Sequence, residues 1–200
     1  MTVHLYYNPQ SRAVMTRWLL EELGVSYDLK MVDYEDGSMR SDAFLALNPM
    51  GKIPVIVDGE TVVTETVAIA LYLADKFKDN VDLAPGIDDP RRGEYLRWIV
   101  FQAASIEPAM YQAGMKFETN QRSAGWGNVQ LVAKVLEQRL SLANPYLFGD
   151  WFTAADVIVG GAVNWALQFG MFPKTPAMSA YAERITQRPA FQRAFADMPS

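Results

Sequence analysis

The chain predicts an α/β domain followed by an all-α domain, and three observations carry that prediction. Over residues 1–77, short β-rich runs alternate with helix-period segments in the order βαβαββα. Residues 78–89, KDNVDLAPGIDD, are polar and hold Pro85-Gly86, which suits a linker. Over residues 90–200 no clear strand alternation appears and long helical stretches take over. At 200 residues, half of them hydrophobic, the chain is long enough to bury a sizeable core without covalent staples.

Each element has its own signal. Val3 to Tyr7 is a β-rich run closed by the turn former Pro9. From Ser11 a helical pattern brings Val14 and Trp18 to one face and stops at Gly24. Tyr27 to Val32 reads as a second strand, Asp42 to Leu47 as a short helix, and Asn48-Pro49-Met50-Gly51 as a turn. Ile53 to Val57 and Thr61 to Val63 flank Asp58-Gly59, a strong hairpin signal. Thr66 to Phe77 then places Ile69, Leu73 and Phe77 on one helix face. Beyond the linker, helices are predicted over Arg91 to Met115, Val129 to Leu142, Ala154 to Phe169, Pro176 to Ile185 and Pro189 to Phe195.

Composition narrows the chemistry. Eighteen Lys and Arg against 23 Asp and Glu leave a net charge of −5, which argues against phosphate-rich partners such as nucleic acid or anionic membrane. Zero cysteines exclude disulfides, thiolate metal sites and a thiol nucleophile of the protein's own. Thiol chemistry here requires a sulfur that the protein binds. The single histidine, His4, reads as a structural strand residue and excludes His-rich metal clusters, so no metal is expected. No basic stretch leads into an apolar run at the start, and the longest uncharged run, Val157 to Pro173, is too short for a span. A soluble cytoplasmic protein is the expectation.

Four segments together resemble the cytosolic glutathione S-transferases. They are LYYNPQSRAVMTRWLLEELGVSY from Leu5, NPMGKIPVIVDG from Asn48 to Gly59, TETVAIALYLADKF from Thr64 to Phe77, and FGDWFTAADV from Phe148 to Val157. Each alone is weak; the four in order span nearly the whole chain. The resemblance implies a thioredoxin-like first domain over 1–77, which binds glutathione as co-substrate, and a helical domain over 90–200. It further implies a homodimer, a role in detoxification and a serine- or tyrosine-type enzyme, since cysteine-type members are excluded by composition.

The site follows the ligand's ends. The resemblance makes Ile53-Pro54 a cis peptide whose exposed Ile53 N–H and C=O pair with the tripeptide as an added strand. Lys52 either reaches a ligand carboxylate or is solvated. Glu65 and Thr66 open the third helix, whose unpaired N–H groups suit a carboxylate, while Glu65 offers an anion for an ammonium. Thr153-Ala-Ala-Asp156 has capping-box spacing, and Asp156 is read as a structural cap.

At the sulfur, a thiol of pKa ~8.5 is roughly 3% ionised at pH 7, and lowering it to ~6.5 needs about 2.7 kcal/mol of selective stabilisation. A helix N-terminus plus one hydroxyl donor supplies that order of energy without a general base. Ser11 matches the P-x-S-R opening, whereas YYNPQSR also resembles the tyrosine-type Y-F-x-x-x-G-R and then points to Tyr6; Ser11, Tyr6 and, beyond them, the backbone or Asn8 stay open as donors. The electrophile site of the family lies beside the first loop, with Asn8, Met110, Tyr111 and Trp165 assigned to it. Trp98, Phe101, Met115 and Phe169 are further apolar candidates. Two rival functions remain: a glutathione-dependent disulfide or peroxide reductase, and a non-catalytic interaction protein of the same fold.

Overall fold

The computed structural model describes residues 2–197, which form two compact units. The first unit takes the described residues of Met1–Asp82 and Pro189–Ser200, and the second takes Leu83–Arg188.

The first unit is built on a four-stranded sheet in the order β2-β1-β3-β4. Its strands are β1 (Val3–Tyr7), β2 (Tyr27–Met31), β3 (Val55–Asp58) and β4 (Thr61–Thr64), and its helices are α1 (Ala13–Leu23), α2 (Asp42–Leu47) and α3 (Thr66–Lys76). Strand β1 pairs parallel with β2 and antiparallel with β3, and β3 pairs antiparallel with β4. The predicted βαβαββα order is therefore the observed one. Period-two alternation sends Val3, Leu5 and Tyr7 into the core at 0% exposure. His4 and Tyr6 face the other side, and His4 Nδ1 lies 3.3 Å from the Asp28 carboxylate on β2. Helix α1 stops at Gly24, which takes φ 62°, a left-handed conformation that suits a residue without a Cβ.

The second unit holds α4 (Arg92–Phe101), α5 (Glu107–Met115), α6 (Val129–Leu140), α7 (Ala154–Gln168) and α8 (Pro176–Thr186). The single helix predicted over Arg91 to Met115 is instead α4 and α5 joined by a π-helical stretch, Gln102–Ile106. Buried Gln102 lies in that stretch and donates to Glu107 Oε1 at 2.9 Å. Helix α7 is buried on nearly all sides, as the long uncharged run from Val157 implied. Asp156 closes the reciprocal capping box with Thr153. Fully buried, its carboxylate accepts from Leu147 N at 2.8 Å, Thr153 N at 3.0 Å, Thr153 Oγ1 at 3.2 Å and Tyr181 OH at 2.7 Å. Burial pushes its carboxyl pKa up, and the four donors pull the other way.

Two boundaries differ from expectation. The second half of the predicted 78–89 linker belongs to the helical unit, because Leu83 and Ala84 are buried and Leu83 O accepts from Ala154 N at 2.8 Å. The last helix, α9 (Pro189–Ala194), belongs to the first unit and not to a continuous 90–200 domain. Its reason is aromatic: the Trp18 ring meets Phe191 at 5.0 Å and Phe195 at 6.4 Å. Arg193 Nε also donates to Glu21 at 2.6 Å.

Candidate functional site

The strand register gathers the site at one end of the sheet. Tyr6 is opposite Val55 and Val55 is opposite Thr64. Continuing both antiparallel ladders past those pairs brings three segments together: the chain leaving β1 at Asn8, Ile53-Pro54 just before β3, and Glu65-Thr66 just after β4. Val32 joins them from the end of β2, its N–H donating to Tyr7 O at 2.9 Å.

The turn from β1 into α1 is organised by Asn8. Its Nδ2 donates to Val32 O at 2.8 Å and its Oδ1 accepts from Gln10 N at 2.9 Å. Its carbonyl accepts from Ser11 N at 3.1 Å and from Ser11 Oγ at 2.6 Å. Ser11 Oγ in turn accepts from Ala13 N at 3.1 Å, satisfying one of the free amides at the helix start. Ser11 is 4% exposed.

Tyr6 goes elsewhere. Its ring meets Phe44 of α2 edge-on at 5.5 Å, within a cluster of Val32, Phe44 and Val55 that also takes in Leu47 and Ile53. With Ser38 and Ser41 nearby, it lines a cavity of about 200 Å³. The adjacent phenol, Tyr7, faces the α1 side, where it donates to Asp197 at 2.9 Å and accepts from Arg17 Nη1 at 3.2 Å. Burial, together with the Asp197 carboxylate and against Arg17, pushes the Tyr7 pKa to about 12. That group stays protonated at neutral pH.

Before β3 the Ile53–Pro54 peptide is cis, with Pro54 buried and Ile53 half-buried. The preceding turn is held by Asn48, whose Nδ2 donates to Lys52 O at 2.8 Å and whose Oδ1 accepts from Met50 N at 3.1 Å. Lys52 is exposed beside it. Arg40, which sequence reasoning missed, reaches the same turn and donates to Met50 O at 3.4 Å. A Cβ on Gly51 would meet Arg40 Nη1 at 2.5 Å and Met39 O at 2.9 Å, so the arginine lies directly against that backbone. A lone arginine in the polar loop between β2 and α2 carried no signal of this, because only the folded loop brings it to Met50.

At the third segment, Glu65 caps α3 with φ 67° and ψ 119°, a conformation rare for a residue with a Cβ. Its side chain makes no hydrogen bond to the first turn of the helix. The α3 N-terminus thus keeps its partial positive charge beside an exposed carboxylate.

The four residues assigned to an electrophile site have different surroundings. Asn8 is engaged in bracing the turn, as described. Met110 is 2% exposed and packs in the core of the helical unit, as Trp98 does at 3%. Tyr111 is 63% exposed, its ring 5.9 Å from Phe117, and Met115 is exposed as well. Trp165 is half-buried, 5.1 Å from the exposed Phe169. Among the described residues no group of three or more His, Cys, Asp or Glu side chains is arranged to hold a metal ion, and no helix is long and apolar enough to cross a membrane.

Comparison with known proteins matches this geometry to a family. Residues 1–75 match the glutathione S-transferase N-terminal domain and residues 101–189 the C-terminal domain. Glutathione S-transferase 3 of Zea mays is 31% identical over 98% of this chain and 94% of its own. A glutathione transferase from Methylococcus capsulatus superposes with a TM-score of 0.81 at 28% identity, covering 98% of both chains. A second, from Burkholderia graminis, solved with two glutathione molecules bound per subunit, gives a TM-score of 0.81 at 26% identity over 98% of this chain and 88% of that one. Matches to both domain models, together with 31% identity to the maize protein over 98% of this chain, show the family, and the chain belongs to the glutathione S-transferases.

Proposed function

We propose that the protein binds glutathione at the sheet end formed by Ser11, Ile53-Pro54 and Glu65-Thr66, and holds it as thiolate for attack on small hydrophobic electrophiles. The observation that carries this reading is the convergence of those three segments through the strand register. The free backbone of Ile53 pairs with the tripeptide, and Lys52 and Arg40 offer cations for a ligand carboxylate. Glu65 faces the ligand ammonium, while Thr66 and the α3 N-terminus take the neighbouring carboxylate. Ser11 is the preferred thiolate donor, because the Tyr6 ring lies against Phe44 in the outer cluster. A cytoplasmic homodimer is part of the same reading.

A pH titration of thiolate absorbance, with glutathione bound to the protein, tests it. The expected midpoint lies about two units below that of free glutathione. Absence of binding, or a midpoint equal to the free value, overturns it.

A second reading, reduction of mixed disulfides by two glutathiones sharing one site, needs no cysteine of the protein and is favoured by the two glutathiones bound per subunit in the Burkholderia relative. Turnover of hydroxyethyl disulfide, compared with conjugation of a chlorinated nitroarene, separates the two.

A further inference from the structure

Ser11 has one hydrogen to donate, and in the free protein it goes to the carbonyl oxygen of Asn8. That oxygen also accepts the Ser11 amide. With two donors on one carbonyl, the hydroxyl can turn away without leaving its acceptor bare. The oxygen of Ser11 is meanwhile fixed by the Ala13 amide, so rotation about the Cβ–Oγ bond redirects the hydrogen while the heavy atom stays in place. The carbonyl is fixed too, because the Asn8 side chain ties its residue to Val32 O on one side and Gln10 N–H on the other.

We propose that Asn8 is the positioning residue for Ser11: its side chain fixes the carbonyl that holds the Ser11 hydroxyl hydrogen in the free protein, and a thiolate arriving at the turn takes that hydrogen bond over. This rests on the reading that places the glutathione sulfur at Ser11. A neutral thiol is a weak acceptor and leaves the hydroxyl on Asn8; a thiolate is charged and displaces the carbonyl. The donor is therefore gained by the ionised form alone, which is the condition for lowering a pKa. The sulfur's proton leaves to solvent. Ser11 keeps its own proton, and only the acceptor changes.

The experiment is the bound-thiol titration in the full chain for wild type, Asn8→Ala, Ser11→Ala and the double variant. Asn8→Ala is expected to raise the midpoint by roughly half to one unit, because a turn released from Val32 O and Gln10 N–H no longer keeps the Ser11 hydroxyl where the thiolate arrives, and this outweighs the weaker hold of the carbonyl. In the Ser11→Ala background the same change is expected to have no further effect, since Asn8 acts through that hydroxyl. If Asn8→Ala does not fold, Asn8→Ser keeps a short acceptor for Gln10 N–H without reaching Val32 O and is expected to give a shift in the same direction. A wild-type midpoint equal to that of free glutathione overturns the site reading and this role together. A lowered wild-type midpoint that the folded Asn8 variants leave unchanged, or a shift of equal size with and without Ser11, overturns the role of Asn8 alone.

Discussion

The oxygen of Ser11 holds the Ala13 amide and, on the proposed reading, also serves the thiolate, and its removal separates the two roles. Ser11→Ala is expected to raise the bound-thiol midpoint by roughly one to two units, from loss of the donor. It also frees the Ala13 amide, so a loss of about 1 kcal/mol in stability accompanies it, measurable by urea unfolding. Asp156 is the opposite case, a residue with no place in the chemistry and a large place in the fold. Four donors converge on its buried carboxylate. Asp156→Ala leaves those donors unsatisfied and is expected to cost about 3 kcal/mol or more, read as a lowered thermal midpoint or as loss of soluble protein. Both residues were legible in the sequence, because each is part of a short motif whose spacing expresses a local helix start. Arg40 and the bracing role of Asn8 were not, since their partners, Met50 and Val32, are brought near only by the folded loops.

Among elements, the β3–β4 hairpin shows how far local chemistry reaches. The Asp58-Gly59 signal marks it in the sequence, and the structure pairs Asp58 with Thr61 across the turn. What the signal does not show is that Asp58 also ties the hairpin to α3. Its side chain is 1% exposed and accepts from Lys76 Nζ and from Tyr72 OH, the latter at 2.9 Å. Burial alone would raise its pKa, but those two donors outweigh it and hold the carboxyl below its ordinary value. A depressed carboxyl contributes stability that is complete above its unfolded pKa of ~3.9 and is lost as pH falls through the lower folded value. Asp58→Asn is therefore expected to lower the melting temperature by roughly 2–4 °C at pH 7, and the difference is expected to shrink at acid pH as the folded carboxyl protonates. Calorimetry at neutral and acid pH checks it. The π-helical stretch Gln102–Ile106 had no such local signature: its sequence, QAASI, is compatible with an ordinary α-helical turn.

On the scale of the whole molecule, α9 returns from the far end of the chain to the first unit. Trp18 of α1 receives Phe191 and Phe195, Glu21 receives Arg193, and Arg17 meets Asp197 at 2.7 Å. Phe191→Ala should then cost about 3 kcal/mol, and hydrogen exchange is expected to quicken in α1 more than in α7. Equal loosening of both helices would contradict the assignment of α9 to the first unit. By itself the sequence determined the βαβαββα order, the helical second part and the family, and it marked the segments proposed as the site, because periodicity, turn chemistry and motif spacing are local properties of the chain. Only the tertiary structure decided the rest. Alternation along β1 shows that Tyr6 and Tyr7 point to opposite faces of the sheet, but not which face carries α1 and which α2; that depends on strand order and on where each helix packs. The same long-range packing decided that Tyr6 lies against Phe44, that Ser11 is held by Asn8, and that the last helix joins the first unit.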